Sequence, residues 1–216
     1  MAGRLTVLDA IARAGAILRE ARHTGQRLIL GIAGAPGCGK STLAELILNP
    51  LRVAEPEAVA LVGMDGFHLA HSTLTRLGLA SVKGAPHTFD PAGYAALLRR
   101  IRTESQGPVW APEYRRDLHD PVAGATEVGP GVRLVVTEGN YLLLPEEPWS
   151  SAHRELAEVW WIDLPEEVRI ERLVARHVRF GRTPEAARAH ALGSDQRNAE
   201  LVNRYAHRAD FVVDWA

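Results

Sequence analysis

Leu28-Ile-Leu-Gly-Ile-Ala33 runs directly into Gly34-Ala-Pro-Gly-Cys-Gly39-Lys40-Ser41, and the rest of the chain is best read outward from this stretch. A near-continuous apolar run of strand length gives way to G-x-x-x-x-G-K-S, and residues 43–51 behind it carry the apolar period of a helix. A strand, glycine-rich turn and helix in that order let backbone N–H groups turn inward around an anion, while the helix presents its positive end. The spacing predicts that Gly34, Ala35, Pro36, Gly37, Cys38, Gly39, Lys40, Ser41 and Thr42 embrace the phosphates of a nucleotide. Lys40 is placed to reach the β and γ phosphates of ATP, and the Ser41 hydroxyl to ligate Mg2+. Cys38 fills a variable position of the motif and reads as a small packing residue.

Outward from this stretch, apolar runs at 59–64, 134–137, 159–162 and 211–213 alternate with helical periods near 91–103 and 165–180, and a further helix opens at Thr183-Pro184. Runs such as LILGIA and RLVVTEG lack the alternation of a one-sided strand, so both faces are expected to be covered. The expected fold class is therefore α/β: a three-layer αβα sandwich on a mainly parallel five-stranded sheet, as in the P-loop nucleoside triphosphate hydrolases. Residues 1–216 are read as one domain. Within it, residues 105–130 carry four prolines, Trp110 and Tyr114 without a clear period, and read as an irregular, substrate-facing insertion.

Composition narrows the classes further. The 216 residues hold 25 basic and 26 acidic side chains, for a formal charge of -1, which argues against a dedicated nucleic-acid binder. Apolar runs are too short for a membrane span, and the arginine-studded N-terminus reads as an amphipathic helix, not a signal peptide. The single cysteine fits a reducing compartment, with the cytoplasm as the expected location. Only Lys40 and Lys83 are lysines among the basic residues, so their positions carry information.

A nucleotide loop alone does not define a reaction. The run VALVGMDGFH ends in Asp65 and His68 at the edge where ligands bind in open α/β folds, and an aspartate there can accept a proton from an attacking hydroxyl. The run LVVTEG ends in Glu138, a carboxylate able to hold magnesium beside the loop.

The ordered set GIAGAPGCGKST, MDGFH, PHTFD, P-x-Y and a strand ending in Glu-Gly resembles the P-loop kinase superfamily of uridine kinases, phosphoribulokinases and pantothenate kinases. It looks closest to bacterial proteins described as nucleoside/nucleotide kinase-like or fructose-transport kinases. The resemblance implies an ATP-dependent kinase moving the γ-phosphoryl group of Mg-ATP to a hydroxyl of a nucleoside, sugar or pantothenate-like acceptor, with Asp65 as general base. A regulatory ATPase and a nucleoside monophosphate kinase are the competing classes. Pro112-Glu-Tyr114-Arg115-Arg116-Asp-Leu-His119 is similar to the uridine kinase pattern P-x-Y-D-F-x-x-H. That similarity marks Tyr114 and His119 as substrate contacts alongside His68, with Arg115 standing where an aspartate is expected and admitting an anionic acceptor. The superfamily contains several homo-oligomeric assemblies, and the oligomeric state of this chain stays open.

Arg169, Arg172, Arg176 and Arg179 follow at helical spacings and share a face, with Ile170, Leu173, Val174 and Val178 expected to point to the core. In the superfamily this helix leads into a lid, which implies Arg172 and Arg176, with Arg182 third, as residues that approach the transferring phosphoryl group, and residues 176–190 as that lid. None of the nine histidines forms an H-x-x-x-H or H-E-x-x-H pattern, so the sequence signals no histidine metal centre.

Overall fold

The computed structural model describes residues 2–215. In chain order it comprises β1 (Gly3–Leu5), α1 (Val7–Thr24), β2 (Leu28–Ala33), α2 (Lys40–Ala54), β3 (Val59–Gly63), α3 (His71–Arg76) and α4 (Pro91–Thr103). Then follow β4 (Val109–Arg115), β5 (Asp120–Val128), β6 (Leu134–Gly139), α5 (Trp149–His153), β7 (Glu158–Asp163) and α6 (Glu166–Arg179). The chain ends with α7 (Pro184–His190), a π-helical segment (Ala191–Asp195), α8 (Gln196–Asn203) and β8 (Phe211–Asp214).

The main sheet has the order β1-β8-β7-β2-β6-β3 with every pair parallel. The period of two along each strand sends alternate residues to opposite layers. Leu30 and Ile32 of β2 join Val136, Trp160 and Ile162 against α1 and α2, whose Ala14, Ile17, Leu43 and Ile47 are buried there. Ile29 and Ala33 face the other way, with Val135 and Trp161, onto Tyr94 and Leu98 of α4, Trp149 of α5 and Val202 of α8. A helical layer thus lies on each face of the sheet, as the unbroken apolar runs imply. Each fully buried Leu, Ile or Phe contributes roughly 1.5–3 kcal/mol relative to exposure. The tryptophan pair on β7 belongs to this packing, one ring in each layer.

Local signals set the helix boundaries. Thr6 and Asp9 form a reciprocal capping box at α1, and Gly25 ends that helix in the left-handed region. Asp90 accepts from the Gly93 backbone N–H (2.8 Å) and Pro91 opens α4, so Asp90 acts as a helix cap. Thr183 and Pro184 do the same for α7.

Two expectations need correction. The sheet has six strands, not five, because β1 pairs with β8 at the edge. At three residues β1 is too short for an alternation to be read, and it is fastened by Arg4, which bridges Asp214 and Asp163. The stretch at 105–130 is also not irregular. It holds an antiparallel ribbon of β4 on β5, whose register slips between Ala111 and Glu113. Prolines are tolerated there because a two-stranded ribbon is all edge, and the slip at Pro112 breaks the alternation that would have announced a strand. Among the described residues no helix is long and apolar enough to cross a membrane.

Candidate active site

The site lies where β2, β3 and β6 end. Gly37 and Gly39 take positive φ values of 83° and 97°, which wraps the loop between β2 and α2. Neither has room for a side chain: a Cβ on Gly37 would sit 2.5 Å from Leu173 Cγ, and one on Gly39 2.7 Å from Trp215 Nε1. Lys40 opens α2 and turns back over the loop, donating to the carbonyls of Gly34 (3.1 Å) and Ala35 (3.2 Å) and to Asn140 Oδ1 (2.6 Å). Cys38 is buried beneath, and burial pushes its thiol up, so it stays protonated and packs.

Strand β6 carries Glu138 to the same edge, where Ser41 Oγ donates to Glu138 Oε1 (2.8 Å). Asp65 stands in the 3₁₀ turn Met64–Phe67 that follows β3, its side chain 41% exposed to the cavity. Below the two carboxylates, Tyr94 OH donates to Thr137 Oγ1 (2.6 Å), which donates to the Val62 carbonyl (2.5 Å), so the last residues of β3 and β6 are pinned together. Burial and the neighbouring charge of Asp65 push the Glu138 carboxyl up, against the pull of Lys40 and Ser41. A hydroxyl and two carboxylates at this edge are hard oxygen donors that suit Mg2+, and a cation there would relieve the repulsion that raises Glu138.

These groups open into one cavity of about 860 Å³. Across from the loop, His68 stacks on Phe89 (centroids 3.9 Å apart) and Tyr114 (4.9 Å), while its Nδ1 donates to the Asp65 carbonyl (2.9 Å). Burial lowers the pKa of His68, which favours neutral imidazole with Nε2 free to accept. Helix α6 supplies Arg172, Arg176 and Arg179 to the cavity wall. Arg169 departs from them: only 3% exposed, it runs beneath the loop to donate to the Pro36 carbonyl (3.3 Å) and to Gln196 at the start of α8. The apolar face of α6 is narrower than expected, since Leu173 is buried but Val178 is 40% exposed. Burial pushes Arg176 below the usual guanidinium range, with Asp195 opposing.

Of the acceptor and lid residues singled out by sequence, Arg115, His119 and Arg182 lie outside this cavity. Arg115 points away from it, paired with Asp117 (2.9 Å), and Arg116 lines the cavity instead, its guanidinium 5.8 Å from the Phe180 ring. His119, at φ 54°, lines a neighbouring hollow with Arg182, and its carbonyl accepts from Lys83 Nζ (2.5 Å). Lys83 is thereby held over the Tyr114 ring (5.2 Å) and lines the main cavity. The following Gly84 is anchored by Asn198 Nδ2 (3.3 Å) and by the Tyr141 hydroxyl, both donating to its carbonyl. Sequence reading missed Lys83, Arg116, Asn140 and Trp215 as wall residues. The rarity of lysine was the one signal that could have marked Lys83. The cavity also gathers His177, His190 and Asp195, which no sequence spacing announced.

A glycine-rich anion loop between a strand and a helix, at the carboxyl edge of a parallel sheet covered by helices on both faces, defines a P-loop NTPase-like α/β fold. Comparison with known proteins narrows the class. No family model matches the chain. A Schizosaccharomyces pombe protein named "Putative uridine kinase" is 31% identical over 195 residues, covering 87% of this chain and 83% of that one. An Aspergillus versicolor "ATP-dependent kinase-like protein" is 36% identical over 148 residues, or 64% of this chain and 86% of that one. A crystal structure described as a "putative fructose transport system kinase" from Silicibacter sp. TM1040 superposes with a TM-score of 0.83 at 34% identity, covering 94% of this chain and 98% of that one. The chain belongs to the P-loop kinase superfamily of uridine-, pantothenate- and fructose-kinase-like proteins. Membership supports an ATP-dependent small-molecule kinase as the general class of activity.

Proposed function

We propose that the chain is a single kinase domain that transfers the γ-phosphoryl group of Mg-ATP to a hydroxyl of a small acceptor carrying an anionic group. The observation that carries this reading is the convergence of Lys40, Ser41, Glu138 and Asp65 on one side of a single cavity, with Lys83, Arg116, Tyr114 and His68 on the other.

The loop amides and Lys40 hold the β and γ phosphates, Lys40 exchanging its present carbonyl and Asn140 partners for phosphate oxygens. Ser41 and Glu138 would hold magnesium, which supplies charge neutralisation between the phosphates when bound. Asp65 accepts the acceptor hydroxyl proton as the oxygen attacks the γ phosphorus, and the bond to the β–γ bridging oxygen breaks to release ADP. Arg172 and Arg176 approach the transferring group from α6, and residues 176–190 act as a lid. The ribbon of β4 and β5 presents Tyr114 and Arg116 to the acceptor. The order of acceptor classes remains nucleoside, sugar, then pantothenate-like alcohol, and the two cationic residues favour members that bear a carboxylate or phosphate. A nucleoside monophosphate is one such acceptor.

The test is ADP release in a coupled assay across nucleosides, nucleoside monophosphates, sugars, sugar phosphates, sugar acids and pantothenate-like alcohols. Acceptor-dependent turnover with an anionic member ahead of its neutral counterpart is expected. ATP hydrolysis indifferent to every acceptor would replace this reading with that of a regulatory ATPase.

A further inference from the structure

We propose that His177, His190 and Asp195 form a binding site for a transition-metal ion of the zinc type, tying the end of α6 to the end of α7 and the π-helical segment. One ligating atom from each lies within 4.8 Å of the other two, and His177 Nε2 is 2.7 Å from Asp195 Oδ2. The rings of His177 and His190 meet edge to face with centroids 4.8 Å apart. All three residues are partly shielded, the side chains of His177 and Asp195 being only 15% and 13% exposed.

The backbone is built to bring them together. His190 and Asp195 are five residues apart, and in an α-helix five residues turn through about 500°, leaving the side chains roughly 140° apart. The segment Ala191–Asp195 is π-helical, and its i→i+5 hydrogen bonding stacks such residues on one face. Single π turns are rare and concentrate at functional sites. Across the groove, His177 in the last turn of α6 completes the set.

The donor chemistry selects the ion. Two imidazoles and one carboxylate suit zinc(II) or cobalt(II), in contrast to the all-oxygen set of Ser41, Glu138 and Asp65 that suits magnesium. Tetrahedral zinc with bonds of about 2.0–2.2 Å places its ligand atoms about 3.3–3.6 Å apart, so the His177–Asp195 pair would open slightly and His190 close in. Three protein ligands leave a fourth position for water or a phosphate oxygen, and all three residues line the main cavity. Arg176 and Arg182 stand close enough to direct positive charge at the cluster. The same arginines oppose any cation, so binding weaker than at a structural zinc site is expected.

The experiment is titration of the untagged full chain with zinc chloride by calorimetry at neutral pH in excess magnesium, without nucleotide or acceptor. Cobalt(II) absorption in the visible region reads the geometry. One-to-one binding is expected, weakened about tenfold or more in His190→Ala and in Asp195→Asn, with tetrahedral cobalt bands lost in both. Asp195→Asn keeps shape and a hydrogen-bonding partner for His177, so it carries the test if His190→Ala fails to fold. His119→Ala, outside the cluster, should bind as the parent does. No saturable binding, affinity unchanged in Asp195→Asn, or equal loss in His119→Ala would each overturn the proposal. Because no turnover is measured, its failure is separate from failure of the kinase reading.

Discussion

The two walls of the cavity are made differently. The phosphate wall comes from consecutive residues, Gly34 to Thr42, and works through backbone geometry and one lysine, locked below by Leu173 and Trp215 against Gly37 and Gly39. The opposite wall, proposed to serve acceptor and lid, is assembled from side chains on separate segments: the turn after β3, the loop holding Lys83, the end of β4, α6, α7, the π-helical segment and α8. The first wall leaves no room for change, whereas the second can alter an acceptor contact by one substitution on a ribbon or a helix face. On the proposed function, recognition of what all nucleotides share would thus be rigid, and recognition of the acceptor modular.

The sharpest test of this division is at the junction. Asp65→Asn should lower kcat by about 10²- to 10⁴-fold, the usual contribution of a general base, and leave ATP affinity within about twofold. A parallel loss of ATP affinity, read by equilibrium titration, would merge the two walls. On the rigid wall, Lys40→Arg should reduce kcat/KM for ATP about ten- to hundredfold, because a planar fork cannot replace a compact ammonium in the loop. On the modular wall, Arg116→Ala should raise the acceptor KM about tenfold with little change for ATP, the cost of one charged hydrogen bond. Arg115→Ala, tied only to Asp117, should change it less than about twofold. Equal effects from the two arginines would undo the assignment of sides at the end of β4.

Smaller effects concern stability. Glu138 has its pKa raised in the folded chain, so the stability tied to it is present below the unfolded value of 4.5 and is lost as pH rises through the folded value. In chelator at neutral pH, Glu138→Gln should therefore raise the thermal midpoint by about 2 °C while abolishing magnesium-dependent turnover, a trade of stability for function. His68 has its pKa lowered by burial, so its contribution is full above the unfolded value of 6.5 and declines as pH falls through the folded one. Urea midpoints should drop between pH 7 and pH 5, and His68→Gln should flatten part of that slope. His153 and His190 act with the same sign.

The difference between the walls also explains what could be read from sequence. The glycine-rich loop was legible because its turn is made by neighbours in the chain and by the glycines that their backbone angles demand. The interior strands were legible because burial on both faces leaves long apolar runs. The short edge strand β1 gives no such run, and the ribbon of β4 and β5 hides its alternation behind Pro112. Arg115 ends β4 and Arg116 opens the turn that follows, and that one-position step decides the side. A register slip at Pro112 and the left-handed His119 lie close by, and a linear pattern matched to Tyr114 carries no trace of either. His177, His190 and Asp195 meet only because a π turn replaces an α turn, which changes no residue spacing.

Lys40 and Lys83 are the chain's two lysines, and both line the same cavity. Apart from an N-terminal amine, every primary amine of the described residues therefore lies at the candidate active site. Acylating or reductively alkylating reagents should label the molecule almost solely there, and a lysine-specific endoprotease has two cleavage points, one on each wall. Mass spectrometry of labelled peptides would report nucleotide at Lys40 and acceptor at Lys83 as two separate protections in one digest, without any engineered tag.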